Sequence, residues 1–81
     1  NLGYMYEHGK GVSQNYEEAV KWYRKAAEQE DLSGQCNLGV MYEFGKGVSQ
    51  NMEKAIELYR RAAQQGYSHA QNALQRLGIT L

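Results

Sequence analysis

Three side chains of types suited to nucleophilic or metal chemistry stand out: His8, Cys36 and His69. A cysteine with a histidine base can attack a carbonyl, and His and Cys together can ligate zinc. Their spacing fits no zinc signature, in which ligands come in pairs a few residues apart. On the helices derived below, His8 ends its helix and His69 begins its own, which sets them at opposite edges of a shared face. No catalytic residue, metal site or cofactor is therefore expected. Gly9-Lys10-Gly11 and Gly45-Lys46-Gly47 invite comparison with phosphate-cradling loops, but they follow a helical pattern instead of a strand and lack the rest of a Walker motif. They read as structural turns.

A repeat positions all of these residues. The stretch from Asn37 to Asn51 is a near copy of the stretch from Asn1 to Asn15, 36 residues earlier, and Ala19, Tyr23, Arg24, Ala26 and Ala27 recur as Ala55, Tyr59, Arg60, Ala62 and Ala63. That period belongs to two-helix solenoid units. In each unit Leu2, Met5 and Tyr6, or Leu38, Met41 and Tyr42, fall at i, i+3 and i+4, the apolar face of a first helix. A glycine inside a helix costs about 1 kcal/mol relative to alanine. Its recurrence at Gly3 and Gly39 implies close approach of a neighbouring helix, expected to be the one carrying Ala26-Ala27 or Ala62-Ala63. Gly-Lys-Gly ends the first helix, and Val12 and Val48 plug the loop. Asn15 and Asn51 read as N-caps of a second helix, with Glu17 and Glu53 in its first turn. Glu18 completes a capping-box pattern that Lys54 does not, and Ser68 with Gln71 forms a further candidate box.

The order Leu-Gly-x-x-Tyr, Gly-x-Gly-Val, Asn, Ala, Trp/Leu-Tyr, Ala-Ala, Gly, Ala, present twice in register, resembles the Sel-one-like repeat, a relative of the tetratricopeptide repeat with a slightly longer loop. The resemblance covers nearly the whole chain. It implies an all-α superhelix, or solenoid, of antiparallel helix pairs that acts as a protein-binding scaffold or adaptor. Asn15 and Asn51 stand where that family often has Asp, and Glu30 and Gly34 where it favours Gly and Ala. These departures are expected to weaken the hinge between the first two units; Gly66 and Ala70, one period later, fit. Some members of the family have been proposed to hydrolyse β-lactams, but no serine with a lysine or glutamate partner is evident in this chain.

At 81 residues the chain is one domain. Nine basic residues balance nine acidic ones and alternate with them along the second helices, so no basic patch favours nucleic acid. On α-helical spacing they form a solvated face with i, i+4 pairs. The single cysteine excludes an internal disulfide, unlike the cysteine-rich secreted branch of the family. No apolar run approaches the roughly 20 residues that cross a bilayer. Five helices are expected, at about 1–8, 16–29, 33–44, 52–65 and 69–77. They make a first repeat over 1–32, a second over 33–67 and a C-terminal capping helix within 68–81, which ends at Gly78 and leaves a tail to Leu81. The second unit has a helical lead-in that the first lacks, so Asn1 is expected to fall part-way through a helix of a longer array.

Shared positions build the unit, and divergent ones are free for function. Through the first helix and loop the units differ at Tyr4/Val40, His8/Phe44 and Tyr16/Met52. The first two pairs share a face opposite the Leu/Tyr core, the face that lines the concave groove in the resembled architecture. Helical spacing extends it to Tyr4, Glu7 and His8; Cys36, Val40, Glu43 and Phe44; and His69, Asn72 and Arg76. That mixture suits a peptide or partner helix. The alternatives are a structural spacer, self-association through exposed solenoid ends, and, remotely, a hydrolase.

Overall fold

The structure, a computed structural model, describes residues 2–79, with the side chain of Leu2 excepted. The expectations placed on Asn1, on the side chain of Leu2 and on Thr80 and Leu81 lie outside the described residues. Among the described residues five helices follow in order: α1 (Leu2–His8), α2 (Tyr16–Glu28), α3 (Leu32–Phe44), α4 (Met52–Gln64) and α5 (Ser68–Arg76). The described residues contain no strand, and no helix among them is long and apolar enough to cross a membrane. Packing runs mainly between consecutive helices, giving an elongated body of 37 × 22 × 18 Å. Two cores result. Ala19, Val20, Tyr23, Leu38, Met41 and Leu58 fill the first, whereas Ala55, Tyr59, Ala62, Ala63, Ala70 and Leu74, with Cys36 and Ala73, fill the second.

The helix starts are set by asparagine. Asn15 and Asn51 each accept, through Oδ1, the backbone N–H three residues on, from Glu18 and from Lys54, at 3.1 Å. The return half of a capping box is not needed, because the N–H of Asn15 donates to the Tyr6 carbonyl at 2.8 Å and that of Asn51 to the Tyr42 carbonyl at 2.9 Å. Lys54 therefore stands where Glu18 does without disturbing the cap. The box expected from Ser68 and Gln71 does not form. Tyr67 is the N-cap of α5, Ser68 lies inside the helix, and Gln71 Nε2 donates instead to the Ala63 carbonyl at 3.1 Å.

Close approach explains the helical glycines, and the neighbours are the helices expected: α2, which carries Ala26-Ala27, for Gly3, and α4, which carries Ala62-Ala63, for Gly39. A Cβ on Gly39 would stand 2.8 Å from Tyr59 Cε1 and 3.3 Å from the Ala55 carbonyl oxygen, and one on Gly3 would stand 2.6 Å from the Tyr23 ring. The tyrosine of the partner helix, not the Ala-Ala pair, excludes the side chain. Ala26-Ala27 serves the next contact: a Cβ on Gly34 would lie 2.6 Å from Ala26 Cβ. Gly34 thus seats α3 against α2 instead of loosening the hinge. The solvated face also differs from expectation. Among the described residues α2 carries no i, i+4 ion pair; Lys21 and Lys25 lie over the Trp22 ring at 5.8 and 4.7 Å, and Arg24 Nη2 donates to the Tyr42 hydroxyl at 3.0 Å. On α4, Arg61 and Glu57 do pair, at 3.7 Å.

Candidate functional site

The loop from α1 to α2 and the loop from α3 to α4 share their backbone conformation and their closing bonds. Gly9 and Gly45 are left-handed, with φ of 69° and 67°. Lys10 and Lys46 then donate their N–H to the Met5 and Met41 carbonyls, and Gln14 and Gln50 donate Nε2 to the Glu7 and Glu43 carbonyls at 2.8 Å. These loops close helices on themselves and hold the last turn of α1 and α3 in fixed orientation. That turn carries the most distinctive polar groups of the protein.

Glu43 is 5% exposed, yet it is fully bonded. Tyr59 donates its hydroxyl to Oε1 at 2.7 Å, and Arg76 reaches across from α5 to donate Nη1 to Oε2 at 2.8 Å and Nη2 to Oε1 at 2.9 Å. The fork-to-carboxylate geometry is the strong form of this pair. Arg76's hydrogen bonds hold the Glu43 carboxyl below its ordinary range against the opposing effect of burial, with Tyr59 assisting. The same bonds raise Arg76, and burial followed by the Glu43 contact raises the Tyr59 phenol. In the first unit the matching bond is present, with the Tyr23 hydroxyl donating to Glu7 Oε1 at 2.6 Å.

Beside this node a groove of about 580 Å³ crosses α1, α3 and α5. It brings together Tyr4, Cys36, Val40, His69, Asn72 and Arg76, six of the ten residues expected on this face. The other four lie elsewhere. Glu7 and Glu43 turn inward to their tyrosines, His8 is exposed with its ring 4.4 Å from that of Tyr4, and Phe44 is 56% exposed beside Lys46. The groove also has walls that were not anticipated: Asn37, Tyr59, Tyr67 and Ala73. Asn37 was within reach of the spacing argument, three residues before Val40. Tyr59 reads as core by its repetition and is core, but its ring also borders the groove. Tyr67 occupies the cap position held in the earlier unit by Asp31, so the repeat carried no signal for it.

Cys36 is 6% exposed, and burial pushes its thiol up to about 11, which leaves little thiolate at neutral pH. No hydrogen bond joins it to His69, whose ring instead meets Tyr67 edge-on at 5.5 Å. Among the described residues no group of three His, Cys, Asp or Glu side chains is placed to hold a metal ion.

Known proteins share this architecture. Structures similar to this chain include a Sel1 repeat protein from Oxalobacter formigenes, 46% identical over 94% of this chain and 31% of its own length, at a TM-score of 0.89. They also include c5321, a protective antigen of uropathogenic Escherichia coli with an SLR fold, 40% identical over 98% of this chain and 18% of its own length, at 0.86. Helicobacter pylori cysteine rich protein B is 34% identical over 90% of this chain and 55% of its own length, at 0.82. Chitin synthase regulator SKT5 of Saccharomyces cerevisiae is 67% identical over 30 residues, which are 37% of this chain and 4% of the yeast protein. The chain thus spans a minority of most of the relatives it matches. The Sel1 repeat profile fits residues 1–31 and again 32–67, and on that ground, together with five stacked helices and twice-repeated loops, the chain belongs to the Sel1 repeat family.

Proposed function

We propose that this chain is a protein-interaction scaffold that holds a peptide or partner helix in the groove across α1, α3 and α5. Sel1 repeat proteins generally mediate protein–protein interaction, in a family of non-enzymatic repeat scaffolds. The yeast relative bears the name of a regulator of another protein. The observation that carries the reading is the convergence of three helices on one open groove. There apolar and aromatic walls from Tyr4, Val40 and Tyr67 stand beside the polar tips of His69, Asn72 and Arg76. Peptide grooves combine apolar area for affinity with a few polar groups for orientation.

Twelve-residue peptides selected from a random library against the protein supply ligands for the test. Tyr4→Ala and His69→Ala, both at exposed positions lining the groove, should weaken their binding while helicity and melting temperature stay close to the parent. Arg60→Ala, on the exposed side of α4, should leave binding unchanged. Affinity and melting temperature falling together would mark Tyr4 and His69 as packing residues and reject the groove.

A further inference from the structure

The two units share the bond from tyrosine to carboxylate but differ where the groove meets it. Tyr4, Val40 and Arg76 occupy one repeat position, each 36 residues from the next, and form a row along the groove. In the second unit the row supplies Arg76, which neutralises Glu43. In the first unit the residue at that place is Val40, and it supplies nothing. Glu7 nonetheless keeps the inward geometry of Glu43, with its tyrosine at 2.6 Å instead of 2.7 Å and its backbone carbonyl held by Gln14 as that of Glu43 is held by Gln50.

Glu7 therefore retains the acceptors that Arg76 uses on Glu43: Oε2, and the second lone pair of Oε1. Its side chain is 13% exposed, so the carboxylate is largely withdrawn from water yet still reachable. Among the described residues no lysine or arginine pairs with it. Among the described residues the one basic neighbour is His8, whose Nε2 stands 3.8 Å away, beyond hydrogen-bond range, and is cationic only when protonated. A carboxylate so placed without a cation is costly, and an arriving guanidinium recovers that cost.

We infer that the groove recognises a partner segment carrying an arginine, whose guanidinium enters over Val40 and clamps Glu7 as Arg76 clamps Glu43. The inference rests on the groove reading above and adds the chemistry of its occupant. Arginine is specified over lysine because both Glu43 oxygens are engaged by one planar fork, a geometry that an ammonium cannot reproduce.

The test again uses twelve-residue library peptides, sorted first with Asn72→Trp, which plugs the groove at an exposed position. Peptides that lose binding to Asn72→Trp should share an arginine. Replacing it with citrulline, or the protein's Glu7 with Gln, should each weaken binding roughly tenfold or more, the size typical of losing a charged hydrogen-bond partner. The two changes together should cost little more than either alone. Glu7→Gln keeps an oxygen for the Tyr23 hydroxyl, so the fold survives it. Val40→Arg should fill the slot from within, abolishing arginine-dependent binding while the melting temperature holds or rises. Groove-dependent peptides without an arginine, or a change under twofold in Glu7→Gln, would overturn the arginine inference alone. Peptides indifferent to Asn72→Trp would instead overturn the groove reading beneath it.

Discussion

Glu30 holds a backbone conformation that glycine holds one repeat later, and exchanging the two isolates the energy involved. Both residues close a helix by the same bonds. The N–H of Glu30 donates to the Ala27 carbonyl and that of Asp31 to Ala26, just as Gly66 donates to Ala63 and Tyr67 to Ala62. The dihedral φ is 60° at Glu30 and 89° at Gly66, both left-handed. The Glu30 side chain makes no hydrogen bond or ion pair among the described residues, so removing it forfeits no contact of that kind. Relief of left-handed strain is worth roughly 1–2 kcal/mol, and the added freedom of glycine in the unfolded chain takes back about half of it. Glu30→Gly should therefore stabilise by about 0.5–1 kcal/mol, which in a domain of this size raises the thermal midpoint by about 2–8 °C. Gly66→Glu provides the mirror experiment, since a Cβ there meets nothing within 4 Å and only the backbone is strained. Its midpoint should fall by at least as much, and the double exchange should return near the parent. Circular dichroism melts at fixed concentration measure all three. A midpoint that drops in Glu30→Gly, or stays put in Gly66→Glu, would show that turn strain does not limit the hinge.

Three further outcomes follow from the packing and the polar node. Gly39→Ala should lower the urea midpoint despite the better helix former, because crowding a fully buried Tyr59 costs about 1–3 kcal/mol against a propensity gain of about 1 kcal/mol; an unchanged midpoint would mean that the ring gives way freely. Glu43 has its carboxyl held below 4.5, so its stabilising effect is complete above the unfolded value and is lost as pH falls through the lower folded one. Glu43→Gln should accordingly be less stable than the parent at neutral pH, with the gap closing on acidification; a gap constant with pH would exclude ionisation as its source. Cys36, raised from 9.0 to about 11, should react with a disulfide reagent at pH 8 about a hundredfold more slowly in the folded than in the urea-unfolded protein, and equal rates would contradict its burial.

The frame was legible because repetition doubles every local signal. Asn15 and Asn51, Gly9 and Gly45, and the apolar i, i+3, i+4 faces each occur twice in register, and all of them take the structures their chemistry favours. What failed to show was which residue of a partner helix makes the contact. Nothing local distinguishes an alanine pair from a tyrosine as the neighbour of Gly39, and only the packed helices reveal that Tyr59 lies there. The start of α5 was misplaced for a related reason: Ser68 has the chemistry of a cap, but the turn after Gly66 brings Tyr67 to that place first. Of the candidate face, helical spacing found Tyr4, Val40 and Asn72. It could not tell that Glu7 and Glu43, on the same stripe, would bend inward to a tyrosine hydroxyl.

That inward turn separates two kinds of position in the repeat. Glu7 with Tyr23, and Glu43 with Tyr59, are bonds within one helix pair, so each unit carries both halves and must keep them together. The residue that completes the carboxylate belongs to the following helix, across a unit boundary, and the frame closes with either Arg76 or Val40 there. Changing that residue alters the charge facing the groove while leaving the caps, the glycine–tyrosine contacts and both cores as they are. In a solenoid assembled by nearest-neighbour contacts, variation at this one row therefore tunes what a groove attracts at little expense to stability, and Val40→Arg together with Arg76→Val would move the carboxylate that lacks an arginine from the first unit to the second without rebuilding either.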